Sequence, residues 1–509
     1  MSLSAMIHLL VRCRRLSDAQ ALVLRMVRKS GVSRVEIVES LVSICGNFGS
    51  NDSVFDLLIR SFVQARKLRE GSEAFMILRR KGFCVSINAS NSLLGGLVKI
   101  GWVDLAWQVY HEVVRAQLEL NVYTLNIMVN ALCKDNKISS VRSFLSEMKE
   151  KGVYSDIVTY NTIINAYCRE GHLEEAFELM NSMPNQGLKP GLFTYNSIMY
   201  GLCKTGNFER AKQVLDEMLH IGLSPDTTTY NTLLVESCKK NNISEAEDIF
   251  NEMLHRGVIP DLVSFSSLIG VVCRNGHLDK ALVYFKNMKR TGLVPDNVIY
   301  TILINGHCRN GLMSEALKIR DEMLEKGCYM DVVTYNTILN GLCNKGHVSE
   351  AFGLWDEMVG KGIKPTLVIC NSIIKGYCRS GDTSNAGEFL SKMTSEGIVP
   401  DSITYNTIIS GFVKEENMDR AFVWINKMEN QGHLPDVITY NVILNGFCRE
   451  GRLQEAEMVL RKMIEKGIDP DRSTYTSLIN GYVTQDNLKE AFRFHDEMVR
   501  MGFVPDDKF

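Results

Sequence analysis

The stretch VVTYNTILNGLCNKG, Val332–Gly346, returns as VITYNVILNGFCREG, Val437–Gly451, three periods of 35 residues later. Self-similarity at a period of roughly 20–50 residues marks a stacked-repeat architecture, and it limits the possible folds more than any other feature of this chain. Counted so that the Tyr of each TYN is the fourth residue, thirteen consecutive repeats of 35 residues run from Asp52 to Asp506 without an insertion or deletion. Positions below are counted within this repeat. A degenerate repeat, Met1–Arg34, and a spacer with room for one extra helix, Val35–Asn51, make up residues 1–51, and residues 507–509 form a tail.

Each repeat reads as two helices. In 332–366 the residues Val333, Tyr335, Ile338, Leu339 and Leu342 have helical spacing. Gly346 then ends the first helix, as do Gly101, Gly171, Gly206, Gly276, Gly311, Gly381 and Gly451, with Asn136 and Asn241 as substitutes. Gly and Asn tolerate the left-handed conformation of a helix cap. The second helix carries Ala351, Leu354, Trp355 and Met358; its Ala and Met recur from repeat to repeat. A small residue at a fixed place lets helices approach closely, and a Met stripe at this spacing reads as core. Nine of the ten prolines fall at position thirty-four, where Pro ends the second helix. One such hairpin cannot bury its apolar face alone. Stacking against neighbours buries it, which predicts an all-α, superhelical solenoid running as one continuous array over 52–506.

Cysteines 133, 168, 203, 238, 273, 308, 343, 378 and 448 all occupy position twelve. A Cys repeated in this way reads as a small buried hydrophobe. There is no C-x-x-C pair, so neither a metal site nor a disulfide framework is expected, and the implied compartment is reducing. Lys and Arg total 57 against 59 Asp and Glu, a formal net charge of −2, which excludes a globally basic nucleic-acid binder but not a local basic stripe. No apolar run approaches the roughly 18 residues of a membrane span. The N-terminal residues are patterned like a folded helix, without the look of a secretory signal or transit peptide.

Constant positions build the stack; variable ones can face a ligand. Position five is small and polar: Asp56, Asn91, Asn126, Asn161, Asn196, Asn231, Ser266, Thr301, Asn336, Asn371, Asn406, Asn441 and Thr476. Position thirty-five is Asp at Asp156, Asp226, Asp261, Asp296, Asp331, Asp401, Asp436, Asp471 and Asp506, and differs at Ser86, Asn121, Gly191 and Thr366. Position two is mostly aliphatic: Val158, Val263, Val298, Val333, Val368, Ile403 and Ile438. Positions two and five lie on one helix face, and position thirty-five adjoins the next first helix. Positions five and thirty-five can therefore flank one small planar ligand between the aliphatic walls of successive repeats, and a nucleobase, with its Watson–Crick edge towards the polar pair, is one such ligand. An ionised Asp only accepts hydrogen bonds, so it favours uracil or guanine, and Asn in its place favours cytosine or adenine. Asn at position five reaches a pyrimidine; Thr or Ser leaves room for a purine. Position thirteen holds a cation at Lys99, Lys134, Arg169, Lys204, Lys239, Arg274, Arg309, Arg379, Lys414 and Arg449, one per phosphate of a bound strand. Two plainer readings compete: Asp after Pro is a common helix N-cap, and a cation suits a helix C-terminus.

The repeat VVTYNTILNGLCNKGHVSEAFGLWDEMVGKGIKPT, Val332–Thr366, resembles a pentatricopeptide repeat, and the resemblance covers about 90% of the chain. Uniform length resembles the pure P class, and the mutual likeness of the repeats is similar to restorer-of-fertility-like members. The resemblance implies a non-enzymatic protein with no cofactor, binding single-stranded RNA at one base per repeat, the strand parallel to the chain. On the pairs named above, the implied target is 5′-CUnUUGGyUUUG-3′, where n comes from Asn161/Gly191 and y from Asn336/Thr366. It further implies an organellar, mitochondrial or else chloroplast, role in RNA processing, stabilisation, splicing or translation, as a monomer off the membrane that works with RNA-processing partners. The rival reading is a helical scaffold for protein–protein interaction.

Overall fold

The computed structural model describes residues 3–28, 33–48 and 52–504. Among the described residues it contains 29 α-helices, two short 3₁₀ turns and no strand. The chain forms two compact units, Met1–Ser237 with Asp248–Ile259, and Cys238–Glu247 with Pro260–Phe509. Each is an α-solenoid of stacked helical hairpins. In the N-terminal unit the first helix Ile157–Glu170 packs on its own second helix, Leu173–Ser182, and on the next first helix, Leu192–Lys204. In the C-terminal unit Leu367–Arg379 packs in the same way on Thr383–Ser395 and Ser402–Lys414.

Both helix boundaries have a local cause. Position thirty-five has extended backbone and its side chain caps the first helix, as Asp401 does for Ser402–Lys414. The first helix ends at a left-handed residue, such as Gly171 at φ 89° or Gly346 at φ 83°. Asn136 and Asn241 adopt this conformation at φ 53° and 59°, and so do Arg66, Glu416 and Asp486 at φ 59°, 57° and 59°. Those last three were not legible as caps, because the stack imposes the turn whatever the side chain prefers. Pro184 cuts the second helix of its repeat short at Ser182 and starts the 3₁₀ turn Pro184–Gln186. The spacer forms helix Arg34–Phe48.

The recurring Ala and Met of the second helices lie in the core. Ala351, Ala386 and Ala421 are fully buried, and so are Met358, Met393 and Met428. Position twelve is small because position ten of the following repeat presses on it. A Cβ added to Gly306 would stand 2.8 Å from both Cβ and Sγ of Cys273, and one added to Gly376 would stand 2.9 Å from Cys343 Cβ. Burial pushes the Cys168 and Cys343 thiols up to about 12, so they stay protonated and serve packing. The Tyr at position four ties several hairpins together: Tyr300 donates to Glu322 at 3.1 Å and Tyr335 to Glu357 at 3.0 Å. Where that Tyr is replaced by Cys370, the fully buried Trp355 of the preceding second helix lies beside the thiol. Among the described residues no helix is long and apolar enough to cross a membrane.

Candidate nucleic-acid interface

Positions five and thirty-five meet, and a third residue holds them together. In repeat 367–401, Asp401 Oδ1 accepts the Thr404 backbone N–H at 2.8 Å and an Asn371 Nδ2–H at 3.4 Å. The Asp401 N–H donates to Thr404 Oγ1 at 3.2 Å, and that hydroxyl donates to Asn371 Oδ1 at 2.7 Å. The ring closes with every inner atom satisfied. It recurs at Asn126, Asp156 and Thr159, where the amide donates to the carboxylate at 3.2 Å and the hydroxyl to the amide oxygen at 2.5 Å. It recurs again at Asn196, Asp226 and Thr229, at Asn406, Asp436 and Thr439, and at Asn441, Asp471 and Thr474. Two valences per ring are left over: the second carboxylate oxygen, an acceptor, and the second amide hydrogen, a donor. The cap reading and the pairing reading are thus compatible, because capping consumes one carboxylate oxygen only.

The same geometry explains what changes when Asp becomes Asn. Asn121 Oδ1 accepts the Thr124 N–H at 3.1 Å and an Asn91 Nδ2–H at 3.1 Å, so its amide nitrogen takes the place of the free oxygen. An acceptor has become a donor with the helix cap unchanged. Partial burial works against ionisation of Asp156, Asp226, Asp401, Asp436 and Asp471. Their hydrogen bonds from Thr and Asn outweigh it and hold these carboxyls below the usual range.

Other repeats depart from the ring in instructive ways. Asn161 keeps the hydroxyl of Thr194 at 2.7 Å but faces Gly191, which has no side chain to offer. Ser266, Thr301 and Thr476 turn their hydroxyl protons back onto carbonyls of their own helices, Val263, Asn297 and Arg472, which leaves acceptor lone pairs; Thr301 shares one of its own with the Thr334 hydroxyl at 2.7 Å. Asp296 and Asp331 cap the helices that follow at 3.0 and 2.8 Å. In repeat 332–366 Thr366 caps Ile369 at 3.4 Å, Ile369 replaces the hydroxyl residue, and Asn336 Oδ1 is buried with no hydrogen-bond partner among the described residues. Asn231 lies in helix Thr227–Lys239, and Asp261 caps Leu262–Arg274 by accepting the Ser264 N–H at 2.9 Å. Asp506 lies outside the described residues.

The aliphatic row stands in solvent. Val158, Val263, Val298, Val333, Val368, Ile403 and Ile438 are all exposed, from 48% at Val263 to 65% at Ile403. The apolar residues at positions four, seven, eight and eleven of these helices are mostly buried, as Tyr335, Ile338, Leu339 and Leu342 are, so the row is an apolar surface left open. Tyr123 and Phe193 occupy the same place and are also exposed, which an aliphatic pattern alone did not reveal.

The cations of position thirteen are exposed, and several reach back to the preceding first helix. Lys134 donates to the Val98 carbonyl at 2.9 Å, Lys204 to the Arg169 carbonyl, and Arg274 to the Cys238 carbonyl at 2.7 Å. Arg379 donates to Asn344 Oδ1 at 3.0 Å. They satisfy helix C-termini and still carry further N–H groups. Lys134, Arg169 and Lys204 line a groove of about 360 Å³ across three successive first helices, together with Asn130, Thr162 and Asn165. Position nine, where Asn130 and Asn165 lie, was not singled out from the sequence; the signal available was its recurrence as Asn305, Asn340, Asn445 and Asn480.

The chain can be set beside known proteins. A model described as the PPR repeat family matches residues 85–134, 155–204, 190–239, 225–274, 260–306, 295–344, 330–368, 365–414, 400–449, 435–484 and 471–508. A second, the PPR repeat, matches residues 1–30 and 123–153. A pentatricopeptide repeat-containing protein of Arabidopsis thaliana is 69% identical over 116 residues, 23% of this chain and 16% of that one. Another from the same plant, named as mitochondrial, is 33% identical over 135 residues, 26% of this chain and 20% of that one. These alignments span a fifth or less of the relatives' own length. In fold, the chain is similar to the pentatricopeptide repeat protein PPR10 from maize, with a TM-score of 0.52 and 23% identity, covering 100% of this chain and 90% of that one.

Proposed function

The chain belongs to the pentatricopeptide repeat family, and from that premise we propose that it is a sequence-specific single-stranded RNA-binding protein reading one base per repeat. The observation that carries this reading is the ring at positions five and thirty-five. Each complete ring leaves one acceptor and one donor free, the complement of a uracil edge, next to an exposed aliphatic or aromatic side chain at position two that can stack on the base face. The Asn91–Asn121 variant leaves donors and suits cytosine. Ser266 and Thr301 are shorter, present lone pairs and adjoin Asp296 and Asp331, which suits the N–H groups of guanine. The proposed target is 5′-CUnUUGGyUUUG-3′, bound parallel to the chain.

The cations of position thirteen supply phosphate contacts with the N–H groups that their helix-end bonds leave over. The protein acts by binding and not by catalysis. Among the described residues the carboxylates of position thirty-five stand at least one repeat apart and are engaged in caps, so no two of these are placed to share a metal or a proton. The site of action is a mitochondrion, in keeping with the naming of relatives. There the protein works as a monomer in the processing, stabilisation, splicing or translation of a transcript, alongside RNA-processing partners. Selection from a random single-stranded RNA pool tests the proposal. Enrichment of UUGG followed by a pyrimidine and a U run is expected; recovery of unrelated sequences, or none, overturns it.

A further inference from the structure

Five rings share a component outside the two base-reading positions. The third residue of the following repeat is Thr159, Thr229, Thr404, Thr439 or Thr474, each with its hydroxyl on the Asn oxygen at 2.5–2.7 Å. We propose that this residue is a positioning residue for base selection: Thr fixes the amide and enforces the choice between uracil and cytosine, whereas Ile369 leaves Asn336 free to turn, so that repeat 332–366 accepts either pyrimidine. The inference rests on the RNA-reading proposal above.

The chemistry is that of a carboxamide. Half a turn about its last bond exchanges donor and acceptor. Uracil presents an N3–H donor beside the O4 acceptor; cytosine presents an N3 acceptor beside an amino donor. An amide free to turn pairs with either. With Oδ1 held by Thr, only amide hydrogens face outward, and the acceptor needed for uracil must come from the neighbouring Asp. The ring therefore makes the pair a uracil reader with one orientation. In repeat 332–366 both constraints are gone. Ile369 is fully buried and offers no hydroxyl. Thr366 spends its oxygen on the Ile369 N–H at 3.4 Å. Asn336 Oδ1 is left buried without a partner among the described residues. A buried acceptor is rarely left unsatisfied, which favours turning the amide so that its oxygen faces outward, where a base amino or imino group would satisfy it. Asn161 is the internal contrast: Thr194 pins it although Gly191 offers nothing.

The test uses the full chain and twelve-nucleotide RNAs of the proposed sequence, carrying U or C at nucleotide eight (read by 332–366) or nine (read by 367–401). For the unsubstituted protein the U/C affinity ratio is expected within about twofold of one at nucleotide eight and above about tenfold at nucleotide nine. Thr404→Val should lower the ratio at nucleotide nine at least about threefold and leave nucleotide ten unchanged. Thr404→Ser keeps the hydroxyl, as Ser264 does naturally, and should restore it. Ile369→Thr should move nucleotide eight towards C, and Ile369→Thr with Thr366→Asp should move it to U. A ratio at nucleotide nine that Thr404→Val leaves unchanged, with total affinity retained, overturns the proposal. So does a strong single preference at nucleotide eight in the unsubstituted protein. If the unsubstituted protein shows no U/C discrimination at any Asp-bearing repeat, the base-reading proposal itself fails and this one falls with it.

Discussion

Asp401→Asn separates the reading role of position thirty-five from its capping role. Asp401 Oδ1 is committed to Thr404 at 2.8 Å and Asn371 at 3.4 Å, and an Asn side chain can make the same two bonds through its own oxygen. Asn is as good an N-cap as Asp, so folding should change by less than about 1 kcal/mol, chiefly through the lost charge at a helix N-terminus. The outward atom changes from a charged acceptor to a donor. For uracil, a charge-assisted bond worth about 1.5–3 kcal/mol is lost. For cytosine, a neutral bond worth about 0.5–1.5 kcal/mol is gained. The two changes together shift the U/C preference by about 2–4.5 kcal/mol, roughly 30- to 1,600-fold. Filter binding or fluorescence anisotropy on two RNAs differing only at nucleotide nine measures the ratio, with circular dichroism melting as the control for folding. If the ratio moves less than about threefold while melting and affinity for the other nucleotides hold, Asp401 is a helix cap and the reasoning is wrong.

Three further outcomes follow from the same geometry. Neutralising Arg274, Arg309 and Arg379 together to Gln should weaken all RNAs alike and flatten the logarithmic salt dependence by roughly 2, at about 0.7 per phosphate on a single strand; an unchanged slope would confine these residues to the helix ends they already serve. Gly306→Ala forces a Cβ to 2.8 Å from Cys273 and should destabilise the stack by about 1–3 kcal/mol, read as a lower denaturant midpoint. The carboxyls of Asp156, Asp226, Asp401, Asp436 and Asp471 are held below their usual range, so their contribution to stability is fully present above the usual carboxylate pKa and is lost as pH falls through the depressed folded values. Melting temperature should therefore stay level for these groups from pH 7 to about 4 and drop below that; a drop beginning near pH 5 would contradict it.

A strict period and a few recurring residue types were enough to write down much of this protein. Gly346 and its counterparts had to end a helix because only Gly or Asn turns left-handed cheaply. Ala351 and Met358 had to be core because they recur on one face of one helix. The pairing of positions five and thirty-five was also legible, because thirty residues of hairpin bring the chain back to the adjoining first helix. What the sequence hid depends on contacts between repeats. Arg66, Glu416 and Asp486 take the left-handed turn against their own preference, since packing on both sides fixes the path of the chain. Gly306 is required by a thiol 33 residues earlier, a relation invisible to helix periodicity. Lys134 and Arg274 turned out to bond the carbonyls at the ends of neighbouring first helices. The hydroxyl of Thr404 looked like part of a helix signature, and only its 2.7 Å approach to Asn371 in the preceding repeat makes it part of the site. Local chemistry is written along the chain, and so the sequence by itself determined the hairpin, its caps and its core. Satisfying polar groups across a stacking interface is a property of two repeats at once, and so the tertiary structure alone decided which atoms are used up inside and which remain to meet a ligand.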